Sequence, residues 1–74
     1  MPKLPVVSGD KCIKALGKCG YIKDHQKGSH MIMVKPGCLP ITVPRHDELD
    51  VGLLRAIIRQ ANLTVKQFIG LLKK

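Results

Sequence analysis

Two turn signals divide the centre of the chain into three short segments with the length and composition of β-strands. Lys27-Gly28 fits a tight hairpin turn, and Lys35-Pro36-Gly37-Cys38 places Pro and Gly where a type II turn prefers them. The segments are Tyr21 to Gln26, Ser29 to Lys35 and Leu39 to Val43. Pro40 and Pro44 bracket the third segment, which is typical of a strand at the edge of a sheet. The sequence therefore predicts a three-stranded meander.

In the segment before these strands, apolar residues recur at the spacing of an α-helix. The apolar positions of the pattern are Cys12, Ile13, Leu16 and Cys19. Ser8 is a preferred N-cap, and Asp10 suits the positive end of the helix dipole. Gly20 fits the left-handed position that ends many helices. The sequence therefore predicts a first helix between Ser8 and Gly20.

The chain after the third strand is predicted to form two further helices. The acidic caps Asp47, Glu48 and Asp50 precede an apolar face made of Leu54, Ile57, Ile58 and Ala61. Asn62 can take the left-handed conformation that stops this helix. Thr64 and Gln67 form a capping box for a last helix, Val65 to about Leu72.

The predicted order is therefore helix, three strands, helix and short helix. Helices packed on one face of an antiparallel sheet make a two-layer α+β fold, and the opposite face stays open as a binding surface. Double-stranded-RNA-binding domains share this order of elements. A length of 74 residues predicts one domain, spanning residues 1–74, with a small core.

Both faces of the middle strand are apolar. Strand alternation places His30, Ile32 and Val34 on one face, and Met31 and Met33 on the other. The sequence leaves open which of these faces meets the helices. His30 lies at the rim beside the turn, so it escapes burial even if Ile32 belongs to the core.

The charge balance points to a polyanion or an acidic protein as partner. Thirteen Lys and Arg residues outnumber five Asp and Glu residues, and the formal net charge is +8. Lys11, Lys14 and Lys18 form a stripe opposite the apolar face of the first helix. Solvation alone accounts for such a stripe in many proteins, whereas in a nucleic-acid-binding protein it contacts phosphates. One Tyr, one Phe and no Trp leave few platforms for stacking bases.

The cysteines and the start of the chain favour a cytoplasmic protein. Cys12, Cys19 and Cys38 are odd in number and contain no CxxC pair, which predicts neither a disulfide framework nor a zinc site. Reduced thiols are typical of the cytosol. The start, MPKLPVV, is too short and too rich in proline for a signal peptide. No apolar run approaches the roughly 20 residues that a membrane span needs, so no membrane contact is expected.

Four segments, colinear along nearly the whole chain, match the pattern of one known family. They are KLPVVSGDKCIKAL at Lys3 to Leu16, Gly28-Ser29-His30, TVPRH at Thr42 to His46, and GLLRAIIRQANLTVKQF at Gly52 to Phe68. Together they resemble the HicA-type toxins of toxin-antitoxin systems. The resemblance implies a fold like a double-stranded-RNA-binding domain and an endoribonuclease that cleaves mRNA without a metal or organic cofactor. It also implies a HicB-type antitoxin as inhibitor, with the toxin a monomer alone and a hetero-oligomer with the antitoxin.

The resemblance places the family's catalytic histidine at His30. From the residues alone, a histidine beside a turn is more often an ordinary surface residue. RNA cleavage nevertheless suits it, because RNA carries its own nucleophile, the 2′-hydroxyl. Imidazole, with an ordinary pKa of about 6.5, can move that proton near neutral pH.

The two other histidines have weaker claims to a chemical role. His25 lies across the hairpin from His30 and is either an acid-base partner or, more commonly for such a position, an exposed strand residue. His46 is interpreted as capping or positioning the helix that follows it. The three histidines show no HxxxH or HExxH spacing, so no metal site is predicted.

Three classes of function therefore remain open. They are a metal-independent ribonuclease toxin, a non-catalytic RNA-binding module, and a subunit that binds only an acidic protein. The predicted RNA-binding residues are Lys11, Lys14, Lys18, Lys23, Lys27 and Ser29, with Ser29 in a turn or hydrogen-bonding role. Gly28-Ser29-His30 favours the ribonuclease over the RNA-binding module.

Overall fold

A computed structural model describes residues 4–73, and within them the chain forms helices packed on a three-stranded sheet. The elements are α1 (Gly9–Lys18), β1 (Ile22–Lys27), β2 (His30–Val34), β3 (Ile41–Pro44), α2 (Val51–Gln60) and α3 (Val65–Lys73). The predicted α+β class and the order α-β-β-β-α-α are both confirmed. Lys3, with which the N-terminal similarity begins, lies outside the described residues.

The sheet has the strand order β1-β2-β3, and both pairs are antiparallel. β3 lies at an edge, as its flanking prolines predicted. All three strands begin later than the sequence suggested, and β2 starts at His30 rather than Ser29. Tyr21 is buried and donates its amide to the carbonyl oxygen of Leu16, so it belongs to the end of α1 rather than to β1. Pro40 has no N–H to donate, and β3 starts only after it, at Ile41.

α1 begins with a cap and a close approach to the sheet. The side chain of Ser8 accepts a hydrogen bond from the Lys11 amide, as its N-cap position predicted. The Gly9 amide donates to the carbonyl oxygen of His46 at 2.8 Å. A Cβ at Gly9 would lie 2.1 Å from the carbonyl oxygen of Pro44, so only glycine fits here. The start of α1 is therefore fixed against the end of β3.

The remaining helices also begin and end as their signals predicted. The Asp50 side chain caps α2 by accepting from the amides of Gly52 and Leu53. Asn62, with φ of 59°, takes the left-handed conformation after α2. Thr64 and Gln67 form the reciprocal capping box of α3, with hydrogen bonds of 2.8 and 3.0 Å.

The structure shows which face of β2 meets the helices, a question that the sequence did not decide. Met31 and Met33 are buried against the helices, whereas Ile32 and Val34 are half-buried and His30 is exposed. The core also takes the fully buried Leu16 from α1, and Phe68 from α3. One sheet face is thus covered by helices, and His30 lies on the other.

Candidate active site

The turn that carries His30 is a two-residue hairpin loop. Lys27 pairs with His30 across it, which makes Gly28 and Ser29 the central residues. The turn is therefore one residue later than Lys27-Gly28. Gly28 has a φ of +61°, and among the described residues Asn62 is the only non-glycine with positive φ. A positive φ at the first central position alone is the requirement of a type II′ turn, which glycine meets without strain.

His30 lies on the open face of the sheet, at the end of β2. Its cross-strand partners are Lys27 on β1 and Pro44 on β3. The side chain is exposed, and within residues 4–73 it makes no hydrogen bond or ion pair. Both ring nitrogens are therefore accessible to a substrate that lies across this edge of the sheet.

Arg45 stabilises the hairpin turn through both its backbone and its side chain. Its backbone amide donates to the carbonyl oxygen of Ser29 at 2.7 Å. Its guanidinium donates to Asp10 Oδ1 at 2.9 Å and to Gln26 Oε1 at 2.8 Å. Gln26 in turn donates from Nε2 to the carbonyl oxygen of Gly28 at 2.9 Å. Arg45 therefore connects α1, β1 and the turn that carries the histidine.

Arg45 was not among the site residues predicted from the sequence. Asp10 and Gln26 lie 35 and 19 positions away from it along the chain, so no local pattern reveals the contacts. The available signal was its place in the TVPRH segment, directly before His46.

His25 is near the site but engaged elsewhere. A β-bulge between Lys23 and His25 shifts the register, and His25 pairs with Ile32 on the open face. It is thus a diagonal neighbour of His30, at a spacing of typically about 7–8 Å between such positions. Its Nδ1 lies 2.6 Å from Asp24 Oδ2, in a pair that is largely exposed. Within the described residues, His25 makes no hydrogen bond to His30.

His46 acts through its backbone. Its carbonyl oxygen accepts the Gly9 amide, which anchors the start of α1, the helix before it in the chain. Its side chain is exposed and makes no hydrogen bond within residues 4–73.

The predicted RNA-binding lysines fall into separate groups. Lys27, with the exposed Ser29, lies beside His30. Lys14 and Lys23 line a depression of about 340 Å³ together with Asp10, Ile13, Met31 and Arg45. Lys11 and Lys18, again with Lys14, line a larger cavity between α1 and α3. Lys18 Nζ donates to the carbonyl oxygen of Leu71 at 3.0 Å, so this lysine ties the two helices together.

The buried cysteine is a structural residue. Burial raises the pKa of the Cys12 thiol to about 12, so the thiol is protonated at neutral pH and is a poor nucleophile. Among residues 4–73, no group of three or more His, Cys, Asp and Glu side chains is placed to hold a metal ion. No helix in the same range is long and apolar enough to cross a membrane.

Comparison with known proteins places the chain in a family. The model described as "HicA toxin of bacterial toxin-antitoxin" matches residues 9–63, which include His30 and Arg45. The chain belongs to the HicA toxin family. This confirms the resemblance drawn from the four sequence segments.

A solved structure agrees with this assignment. The HicA-family chain is similar to a chain of "Toxin-Antitoxin complex from Streptococcus pneumoniae", with 40% sequence identity and a TM-score of 0.70. The similarity covers 76% of this chain and 97% of the other. Among curated proteins, none matches this HicA-family chain in sequence. α3 (Val65–Lys73) lies beyond the residues that the family model matches.

Proposed function

We propose that this HicA-family chain is an endoribonuclease that cleaves mRNA, with His30 as its acid-base residue. One observation carries the proposal: the histidine of the Gly28-Ser29-His30 motif is exposed, unpartnered within the described residues, and held on a braced turn. A surface histidine without a role needs no such support. Membership of the family and the resemblance of the motif to the family's catalytic segment add to this argument.

The chemistry needs one proton acceptor and a positive field. A neutral imidazole at His30 takes the proton of a ribose 2′-hydroxyl, and the oxygen attacks the adjacent phosphorus. The P–O5′ bond then breaks, which leaves a 2′,3′-cyclic phosphate and a 5′-hydroxyl. The leaving oxygen takes its proton from water. Because the nucleophile belongs to the substrate, no metal-activated water is required.

The cations beside His30 suit the phosphate. Lys27 is the cross-strand neighbour of His30. Its ammonium can stabilise the negative charge that develops on the phosphorane. The Ser29 hydroxyl is exposed at the turn and can donate to a phosphate oxygen. Lys14 and Lys23 line the depression next to Arg45 on the helical side of the sheet, and they extend the positive surface around the edge of the sheet.

The open face also suits a protein inhibitor. Ile22, 61% exposed, pairs with Val34, and the half-buried Ile32 lies between Val34 and His30 on the same face. Apolar side chains beside a catalytic residue suit a partner that covers both. We therefore propose that a HicB-type antitoxin binds this face and occludes His30. The methionines of β2 take no part, because they are buried under the helices.

His30→Ala tests the proposal. Purified, folded protein should cleave RNA about 100- to 10,000-fold more slowly, since a positioned acid or base typically contributes that much. Thermal stability and most RNA affinity should stay unchanged, because the side chain is exposed and lacks partners in the described chain. His25→Ala, at an exposed position on the same sheet face, is the matched control and should retain appreciable activity. The assay contains a chelator, so that metal independence is tested together with the histidine.

The result also decides between the enzyme and its alternative. If His30→Ala cleaves RNA at the wild-type rate, or if neither protein cleaves while both bind, the function is that of a non-catalytic RNA-binding module. Growth arrest by the wild type, and tolerance of His30→Ala in cells without antitoxin, would support the toxin.

A further inference from the structure

We propose that the cavity between α1 and α3 is a second docking site, for an amphipathic segment of a protein partner that carries aliphatic side chains on one side and carboxylates on the other. The cavity has a volume of about 570 Å³. It lies on the helical side of the sheet, away from the open face that carries His30. The proposal is independent of RNA cleavage.

The floor of this cavity is aliphatic. Ala15 of α1 and Val7 of the preceding segment are buried at its base, and Ile69 and Leu72 of α3 are half-buried. Val6 also lines the cavity and is 72% exposed. An aliphatic surface of this kind gains free energy when it is covered by other apolar groups.

The rim of the cavity is cationic. Lys11 and Lys14 border it from α1, and Lys73 borders it from the end of α3. These three side chains are exposed, and within the described residues they make no side-chain hydrogen bond or ion pair. Lys18 is also at the rim, and its hydrogen bond to the Leu71 carbonyl oxygen fixes α3 against α1. The described residues that line the cavity include no Asp or Glu, so the rim favours a negatively charged occupant.

Charge and shape together favour a peptide over nucleic acid. RNA would satisfy the lysines but would place polar ribose and phosphate on an aliphatic floor. Among the described residues that line the cavity there is no aromatic side chain or arginine on which a base could stack. An amphipathic segment satisfies both parts of the site at once, because its carboxylates meet the rim while its aliphatic side chains cover the floor.

The cavity depends on α3, which lines one side of it. The family model matches residues 9–63, so Ile69, Leu72 and Lys73 come from outside the matched region. Lys14 lines this cavity and also the depression beside Arg45. A bound segment that pairs with Lys14 would therefore remove one cation from the proposed RNA path.

A synthetic peptide tests the proposal. The probe is a fluorescein-labelled 15-residue helix-forming peptide with Leu on one face and Glu on the other, titrated with the full chain and followed by polarisation. The peptide should bind, and a scrambled peptide of the same composition should bind about tenfold more weakly. Amide chemical shifts should change in residues 5–18 and 69–73 rather than in β1 and β2.

Variants with matched controls separate specific docking from general attraction. Lys11→Glu with Lys14→Glu should weaken peptide binding at least about tenfold, whereas Arg59→Glu with Lys66→Glu changes the net charge equally and should have less than about a threefold effect. Val6→Asp should weaken binding, and Ile22→Asp, at an exposed apolar residue of the other sheet face, should not.

Three results would overturn the proposal. One is equal loss of affinity in the groove variants and their controls. Another is a set of chemical shift changes confined to the open sheet face. The third is a failure of the peptide to bind while vesicles of anionic lipid, or a second copy of the chain in sedimentation, depend on the same lysines. None of these outcomes depends on whether His30 cleaves RNA, so the two proposals fail separately.

Discussion

The backbone amide of Arg45 donates a hydrogen bond of 2.7 Å to the carbonyl oxygen of Ser29, the residue directly before His30. This bond joins the residue that follows β3 to the hairpin between β1 and β2. The Arg45 guanidinium adds contacts to Asp10 and Gln26. The position of the histidine therefore depends on contacts from several elements.

Arg45→Ala should lower kcat of RNA cleavage up to about 100-fold while KM changes little, because a small displacement of a catalytic group has effects of that size. The loss should be partial, since the backbone bond to Ser29 remains. The free energy of unfolding should fall by only about 0.2–1 kcal/mol, as expected for an exposed ion pair. Single-turnover kinetics and chemical denaturation measure the two effects. Arg59→Ala, on the exposed side of α2, is the control, and an equal loss of kcat in it would exclude a positioning role for Arg45.

Gly9→Ala should destabilise the fold by about 1–3 kcal/mol or more, because the new methyl group would overlap the Pro44 carbonyl oxygen. Gly17→Ala lies in the same helix, where a Cβ meets no atom within 4 Å. It should stabilise the protein by about 0.5–1 kcal/mol, since alanine is the better helix former. Urea denaturation of both variants measures the difference. Equal free energies of unfolding would mean that α1 does not approach β3 as described.

Association with RNA should weaken steeply as salt is added. The net charge of +8 and the burial of both aromatic rings leave phosphate contacts as the main source of affinity. A plot of log affinity against log salt concentration should be linear, and Lys27→Ala should reduce its slope by about one phosphate contact. A gel-shift titration at several salt concentrations gives both slopes. Binding that is indifferent to salt would contradict an electrostatic interface.

A HicB-type antitoxin should protect residues 27–34 from amide hydrogen exchange when it is bound. This range contains the turn and the strand that places Ile32 and Val34 beside His30. Mass spectrometry of the free toxin and of the complex compares the rates. Unchanged exchange in this range, with protection only on α2, would mean that inhibition does not act by covering the histidine.

Local signals in the sequence predicted most of the fold. Ser8, Asp50 and the pair Thr64–Gln67 mark helix starts because their side chains satisfy amides only a few residues away. Gly37 and Asn62 mark turns because each takes a positive φ within its own backbone. These effects involve residues only a few positions apart, so they can be predicted from the sequence alone.

The sequence could not predict which face of the sheet meets the helices, or which residues position His30. Met31, Met33, Ile32 and Val34 are all apolar, so alternation could not decide between the two faces. The bulge before His25 depends on how β1 pairs with β2. The contacts of Arg45 join residues far apart in sequence, and only the folded chain brings them together.

The buried ring of Phe68 has a practical consequence for work that compares or recombines members of this family. The match to the family model ends at residue 63, yet Phe68 is 0% exposed and packs in the same core as Leu16. A chimaera that exchanges only the matched region would surround the retained Phe68 ring with core side chains from another family member. Truncation of a buried aromatic residue costs about 3–5 kcal/mol, so the fit around this ring accounts for a large share of the stability of a small protein. The unit to exchange is therefore the matched region together with its C-terminal helix.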